Sequence, residues 1–172
     1  MMLKEEFITY GKIVRRDKFN NLVDKLNYIN KPIGGLWASP VNSRWSWKSW
    51  CESNDFRVDS FRCYTKWKLR DPRRILIIDS AEDLIRATDR FGILFYFSYI
   101  LDFQKIKDAG YDGIFLTARG NSECHFSICY KGETIDLNSW DCESIVVWNW
   151  KQIKIIEAGR KYGNNRAKHR RN

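Results

Sequence analysis

The stretch WDCESIVVWNWKQIKII at residues 140–156 constrains this chain most. Its centre, Ile145-Val146-Val147-Trp148, is apolar and rich in β-branched residues, with no glycine or proline. Such a run favours a core strand. Two acids, Asp141 and Glu143, stand at its mouth with one residue between them. If the chain is extended from Asp141 onward, the two-residue repeat of a strand puts both carboxylates on one face. Buried without partners, they would be costly. They are therefore expected at the exposed end of the strand, as a solvated terminus or as the acids of a cleft.

The rest of the composition sets the class. The chain has 172 residues, 44% hydrophobic and 15% aromatic, enough for one domain with a substantial core. Its net charge of +9 is unevenly spread. Residues 159–172 contain Arg160, Lys161, Arg166, Lys168, Arg170 and Arg171 and no acid, so this end carries most of the excess. A polar basic tail of this kind reads as flexible in isolation. It suits either solubility or contact with nucleic-acid phosphates. Five cysteines in no framework spacing predict reduced thiols and a cytoplasmic location. They match no zinc pattern, and no metal is expected. The N-terminus MMLKEEF has no apolar signal region. The longest apolar run, residues 91–101, is too short to span a bilayer.

In chain order, residues 7–10 predict a strand. Asp17 is a plausible cap for a helix carrying Phe19, Leu22, Val23, Leu26 and Ile29 at helical spacing. Gly34 and Gly35 allow close backbone approach or positive φ before a strand at residues 36–38. Ser39 ends that strand, where a hydroxyl can meet a ligand, and Pro40 closes it. Ser46 caps a short helix with Trp47, Trp50 and Cys51. With Trp45, this cluster is either core or an aromatic wall for a planar ligand or base. Strands follow at 62–69 and 75–78, then a helix capped by Ser80 with Asp83 three residues on. Residues 91–101 fit helix or strand. A short helix from Asp102 ends at Gly110, and residues 114–117 form a strand. Arg119 lies in a polar loop, and 125–130 with 134–137 form a hairpin around Lys131-Gly132. The pattern favours α+β over a doubly wound sheet. Neither a G-x-G-x-x-G nor a Walker A motif is present.

Three segments carry a family resemblance. They are GGLWASP at residues 34–40, AGYDGI at residues 109–114, and the ending from Glu143 to Ile155 with its E-x-I-V-V core and Q-I-K-I close. In this order, spread over most of residues 5–156, they resemble the ADP-ribosyltransferase superfamily, especially its small bacterial and phage-linked members. The resemblance implies an ADP-ribosyltransferase-like α+β fold of two packed antiparallel or mixed sheets flanked by helices, with NAD as co-substrate in a cleft. It implies a catalytic domain at 1–158 and a basic tail at 159–172. Glu143 takes the place of the family's catalytic glutamate, and Asp141 the substrate-facing position two residues earlier. Ser39 fits the strand-ending Ser or Thr of the middle motif. Trp37 and the backbone at Gly35 lie along the nicotinamide and its ribose. The first motif carries an Arg or His on strand one; here neither is present, and Tyr10 is the nearest polar aromatic.

The resemblance implies an NAD-dependent mono-ADP-ribosyltransferase acting as a toxin. The basic tail and Arg119 favour a nucleic-acid acceptor through phosphate contacts, with RNA ahead of DNA. A neutralising antitoxin or a chaperone is the expected protein partner, and no membrane is involved. A transferase acting on protein and a non-enzymatic nucleic-acid-binding module are the alternatives.

Overall fold

The computed structural model describes residues 5–26, 29–57 and 61–160. β1 (Glu6–Tyr10) leads through a three-ten turn at Arg16–Lys18 and an irregular leg to β2 (Leu36–Pro40). Next come α1 (Trp47–Ser53), β3 (Cys63–Leu69), β4 (Ile75–Ile78) and α2 (Ala81–Phe91). The hairpin β5 (Gly92–Phe95) and β6 (Ser98–Leu101) precedes α3 (Phe103–Asp108), β7 (Gly113–Leu116) and α4 (Ala118–Cys124). The chain then runs through β8 (Ile128–Tyr130), β9 (Glu133–Ile135), β10 (Ser144–Val147) and β11 (Ile153–Arg160). The fold is α+β, with a seven-stranded sheet in the order β11-β3-β1-β2-β10-β7-β4 and a four-stranded sheet in the order β5-β6-β9-β8. Both sheets are mixed: β4 runs parallel to β7 and β6 parallel to β9, while the other pairs are antiparallel.

β10 is central because both its faces are buried. Val146 points into a core built with Leu84 of α2, Leu101 of β6 and Ile135 of β9, so the two sheets share that core. Ile145 and Val147 point the other way, onto Phe7, Trp67 and Phe115. The large sheet is curled over this second core. Phe7 on β1 and Phe115 on β7 are three strand steps apart, about 14 Å in a flat sheet. Their rings nevertheless meet edge to face at 5.7 Å.

Local signals are met at several points. Ser46 accepts a hydrogen bond from the Ser49 N–H and Ser80 from the Asp83 N–H, capping α1 and α2. Gly110 takes φ +94 behind α3, and Lys131-Gly132 turn the β8–β9 hairpin with φ 51 and 86. Of residues 91–101, Phe91 ends α2 and the rest form the β5–β6 hairpin.

Other expectations are corrected. The helix expected from Asp17 through Ile29 is replaced by the three-ten turn and an irregular leg; Asn27 and Tyr28 of this stretch lie outside the described residues. The backbone pairs with the returning chain instead: Val23 N–H donates to the Ile33 carbonyl and Gly35 N–H to the Asn20 carbonyl, both at 3.0 Å. Leu22 alone of the apolar set is buried. Arg119 lies not in a loop but in α4, whose N-terminus Thr117 caps by accepting from the Gly120 N–H. β11 pairs with β3 as far as Arg160, so Gly159 and Arg160 belong to the sheet and not to a tail. All five cysteines are free thiols.

Candidate active site

β1, β2 and β10 are neighbours in the sheet, with Ile8 opposite Ser39 and Ala38 opposite Ile145. A cleft of about 280 Å³ opens on them, lined by Tyr10, Gly35, Trp37, Trp47, Trp140 and Asp141 among others. Trp37 meets Trp140 edge to face at 4.8 Å. Its backbone carbonyl accepts from the Thr9 hydroxyl at 2.9 Å, and Thr9 accepts from the Trp67 indole at 3.1 Å. At the first turn of α1, Trp47 is stacked on Trp50 at 5.2 Å with 12° between the rings, and Phe56 packs its edge against both. Trp47 of the Trp45–Trp50 cluster therefore lines the cleft, backed by Trp50, while the Trp45 indole turns to Asn121. Burial pushes the Tyr10 phenol up, with Lys48 opposing and Glu52 adding to the shift, so Tyr10 meets the cleft as a neutral donor.

The acidic segment bends here. Cys142 and Glu143 form a bend before β10 begins at Ser144, so the extended geometry that would align the two carboxylates is absent. Asp141 lines the aromatic cleft. Glu143 lines a separate depression with Glu5, Ser43 and Lys68. The bend has a packing cause: Cys142 is buried between the hydroxyls of Ser39 (4.0 Å) and Ser144 (3.2 Å). Burial pushes its thiol up despite those hydrogen bonds, which removes it as a thiolate nucleophile. Glu143 N–H donates to the Trp45 carbonyl at 3.0 Å. Asn121 of α4 is buried; it accepts from the Trp45 indole at 3.1 Å and donates to the Trp140 carbonyl. Burial, and then the charge of Glu143, push the Glu5 acid above its ordinary value, so these two carboxylates are electrostatic neighbours.

Asp141 is held from the irregular leg. Lys31 Nζ lies 3.4 Å from the Asp141 carboxylate, donates to the Ser139 carbonyl at 2.7 Å, and sits 5.2 Å from the centre of the Trp37 ring. The preceding Asn30 is the pin: it takes φ 48 and is buried. Its side chain donates to the Asp136 carbonyl (2.9 Å) and accepts from Leu101 N–H (2.8 Å), while its carbonyl accepts from the Trp140 indole (3.0 Å).

Of the residues expected at the site, Tyr10, Gly35, Trp37 and Asp141 share the cleft. Ser39 is buried, and its hydroxyl accepts from Trp47 N–H at 2.9 Å, so it anchors α1 rather than facing a ligand. Arg119 pairs with Asp79 at the β4 edge of the large sheet, whereas Arg160 is on β11 at the opposite edge. These two cations are not brought together. Lys161, Arg166, Lys168, Arg170 and Arg171 lie outside the described residues. Lys12, Lys31 and Trp140, which also line the cleft, and Asn121 behind it carry no local motif that marks them. Among the described residues no helix is long and apolar enough to cross a membrane. Comparison of the chain with protein-family models, with curated proteins and with solved structures gives no match.

Proposed function

We propose that this chain is an NAD-dependent mono-ADP-ribosyltransferase. One observation carries the reading. Strand one, the Gly-rich strand and the acid-led strand, far apart in sequence, lie side by side as β1, β2 and β10 around one aromatic cleft. Flat indole walls suit a nicotinamide ring. In the reaction the bond from the ribose anomeric carbon to the nicotinamide nitrogen breaks, and its electron pair leaves with neutral nicotinamide. An acceptor nucleophile bonds to the same carbon and gives its proton to a carboxylate. Asp141, in the cleft, is assigned to the cationic ribose, where a carboxylate stabilises developing charge. Glu143, in the neighbouring depression beside Glu5, is assigned to the acceptor's proton. This exchanges the roles that the family resemblance implies.

The acceptor in this reading is nucleic acid, RNA ahead of DNA, supported by the basic balance of the chain and the tryptophans at the cleft. The enzyme is then a cytoplasmic toxin, and its antitoxin or chaperone partner would present acidic surface to it. The test is transfer of label from adenylate-labelled NAD to RNA, single-stranded DNA, duplex DNA or protein, with nicotinamide release followed in parallel. Asp141→Asn should lower both nicotinamide release and transfer by about 100- to 1,000-fold. Glu143→Gln should lower transfer to a similar degree while sparing slow release to water. Loss of release in Glu143→Gln alone would return the ribose to Glu143. Neither label nor release with the unmodified protein would overturn the transferase. Label in protein alone would overturn the nucleic-acid acceptor.

A further inference from the structure

A second cavity, of about 310 Å³, adjoins the aromatic cleft and shares Lys12 and Gly35 with it. Its charge is one-sided. Lys12, Arg15, Lys18 and Arg160 line it, and among the described residues no acid does. All four are exposed, and among the described residues none of these side chains forms an ion pair. Several cations elsewhere in the fold have a carboxylate partner: Lys66 with Glu157, Lys68 with Glu6, Arg74 with Asp112 and Arg119 with Asp79.

The four cations converge by construction. Val14 is buried, and its N–H donates to Thr65 Oγ1 at 2.9 Å, which pins the leg leaving β1 against β3. The three-ten turn closes with Lys18 N–H on the Arg15 carbonyl at 3.2 Å, holding Arg15 and Lys18 on one short loop. Arg160 enters from the end of β11, opposite Cys63. Asp17, in the same turn, is exposed and does not line the cavity. Like charges gathered around a concave wall repel one another and focus a positive potential there. Guanidinium forks match phosphate oxygens two at a time.

We propose that this cavity is a phosphate seat for a ligand whose other end occupies the aromatic cleft. The phosphate has two sources. One is the pyrophosphate of a dinucleotide, which rests on the transferase reading; the other is a phosphodiester of a nucleic-acid chain, which does not. The probe is inorganic pyrophosphate, titrated into the isotope-labelled full chain, with the resonances of Lys12, Arg15, Lys18 and Arg160 followed by NMR. These signals should shift saturably, at least tenfold more weakly in Arg15→Glu/Lys18→Glu and without change in Lys107→Glu, an exposed cation of α3 that lines neither cavity. The neutral pair Arg15→Gln/Lys18→Gln serves if charge reversal unfolds the protein. NAD and nicotinamide riboside form one arm, and a single-stranded oligonucleotide the other. A loss of NAD affinity with riboside affinity kept assigns the seat to the dinucleotide, and a loss of oligonucleotide affinity assigns it to the phosphodiester. Pyrophosphate that leaves the four signals unmoved, or binds the double variant equally well, overturns the seat. Turnover does not enter this readout, so failure of the transferase would be seen separately.

Discussion

At the residue scale the cleft depends on atoms that are missing as much as on side chains that are present. Gly35 takes φ +71, and a Cβ there would lie 2.7 Å from Val146 Cγ2 and 3.1 Å from the Val147 carbonyl oxygen. A left-handed backbone costs an L-residue about 1–2 kcal/mol and overpacking about 1–3 kcal/mol. Gly35→Ala should therefore lose about 2–5 kcal/mol in urea unfolding and shift β2 relative to β10. Asp112 shows the opposite dependence, on charge. It is buried beside Arg74, Asn149 and Gln152. Burial alone would raise its carboxyl, but hydrogen bonds from those three side chains outweigh burial and hold it below the ordinary aspartate value. A depressed carboxylate contributes stability above its unfolded value of about 3.9, and that stability is lost as pH falls through the lower folded value. Asp112→Asn should cost about 1–3 kcal/mol at neutral pH, because the Arg74 it strands is half-exposed and stays solvated. Stability measured against pH should show that difference closing below about pH 4 as the parent's carboxylate protonates.

At the element scale the acidic segment is positioned by α4 and by the leg at residues 29–31. Asn121 joins α4 to the Trp45 indole and the Trp140 carbonyl, while Glu143 N–H rests on the Trp45 carbonyl. Asn121→Ala would leave the Trp140 carbonyl, in a buried contact, without its partner, at about 1–3 kcal/mol. A lower urea midpoint and a red-shifted tryptophan emission are the expected readouts; an unchanged midpoint would mean that α4 does not hold the segment. Elements that depend on short-range chemistry are legible in the chain: the Ser46 and Ser80 caps, the Gly110 stop and the apolar run of β10. The leg after β1 is not, because the helical spacing of Phe19, Leu22, Val23 and Leu26 competes with pairing to residues 33–35, and that pairing is tertiary. Asp141 is legible because acids beside a core strand stand out. Lys31, Asn30 and Lys12 are not, because only folding brings an irregular leg against residues 136–141 and the cleft.

At the scale of the whole molecule one cavity gathers positive charge. Lys12, Arg15, Lys18 and Arg160 line it, and none of the four has an ion pair among the described residues. The chain continues from Arg160 into Lys161, Arg166, Lys168, Arg170 and Arg171, which supply five of the net charges of +9. Deleting residues 161–172 therefore separates two ways of holding a polyanion. Each phosphate that the protein no longer neutralises should flatten the salt dependence of single-strand binding by about 0.7 in log–log slope. If the terminal cations bind these phosphates, the truncated chain should show a slope shallower by about 1–3 units for single-stranded RNA between 50 and 200 mM salt. On the transferase reading nicotinamide release should stay unchanged, since the described residues that line the cleft end at Ser144. An unchanged slope would place phosphate binding within residues 1–160, with the unpaired cations beside the cleft as its nearest source.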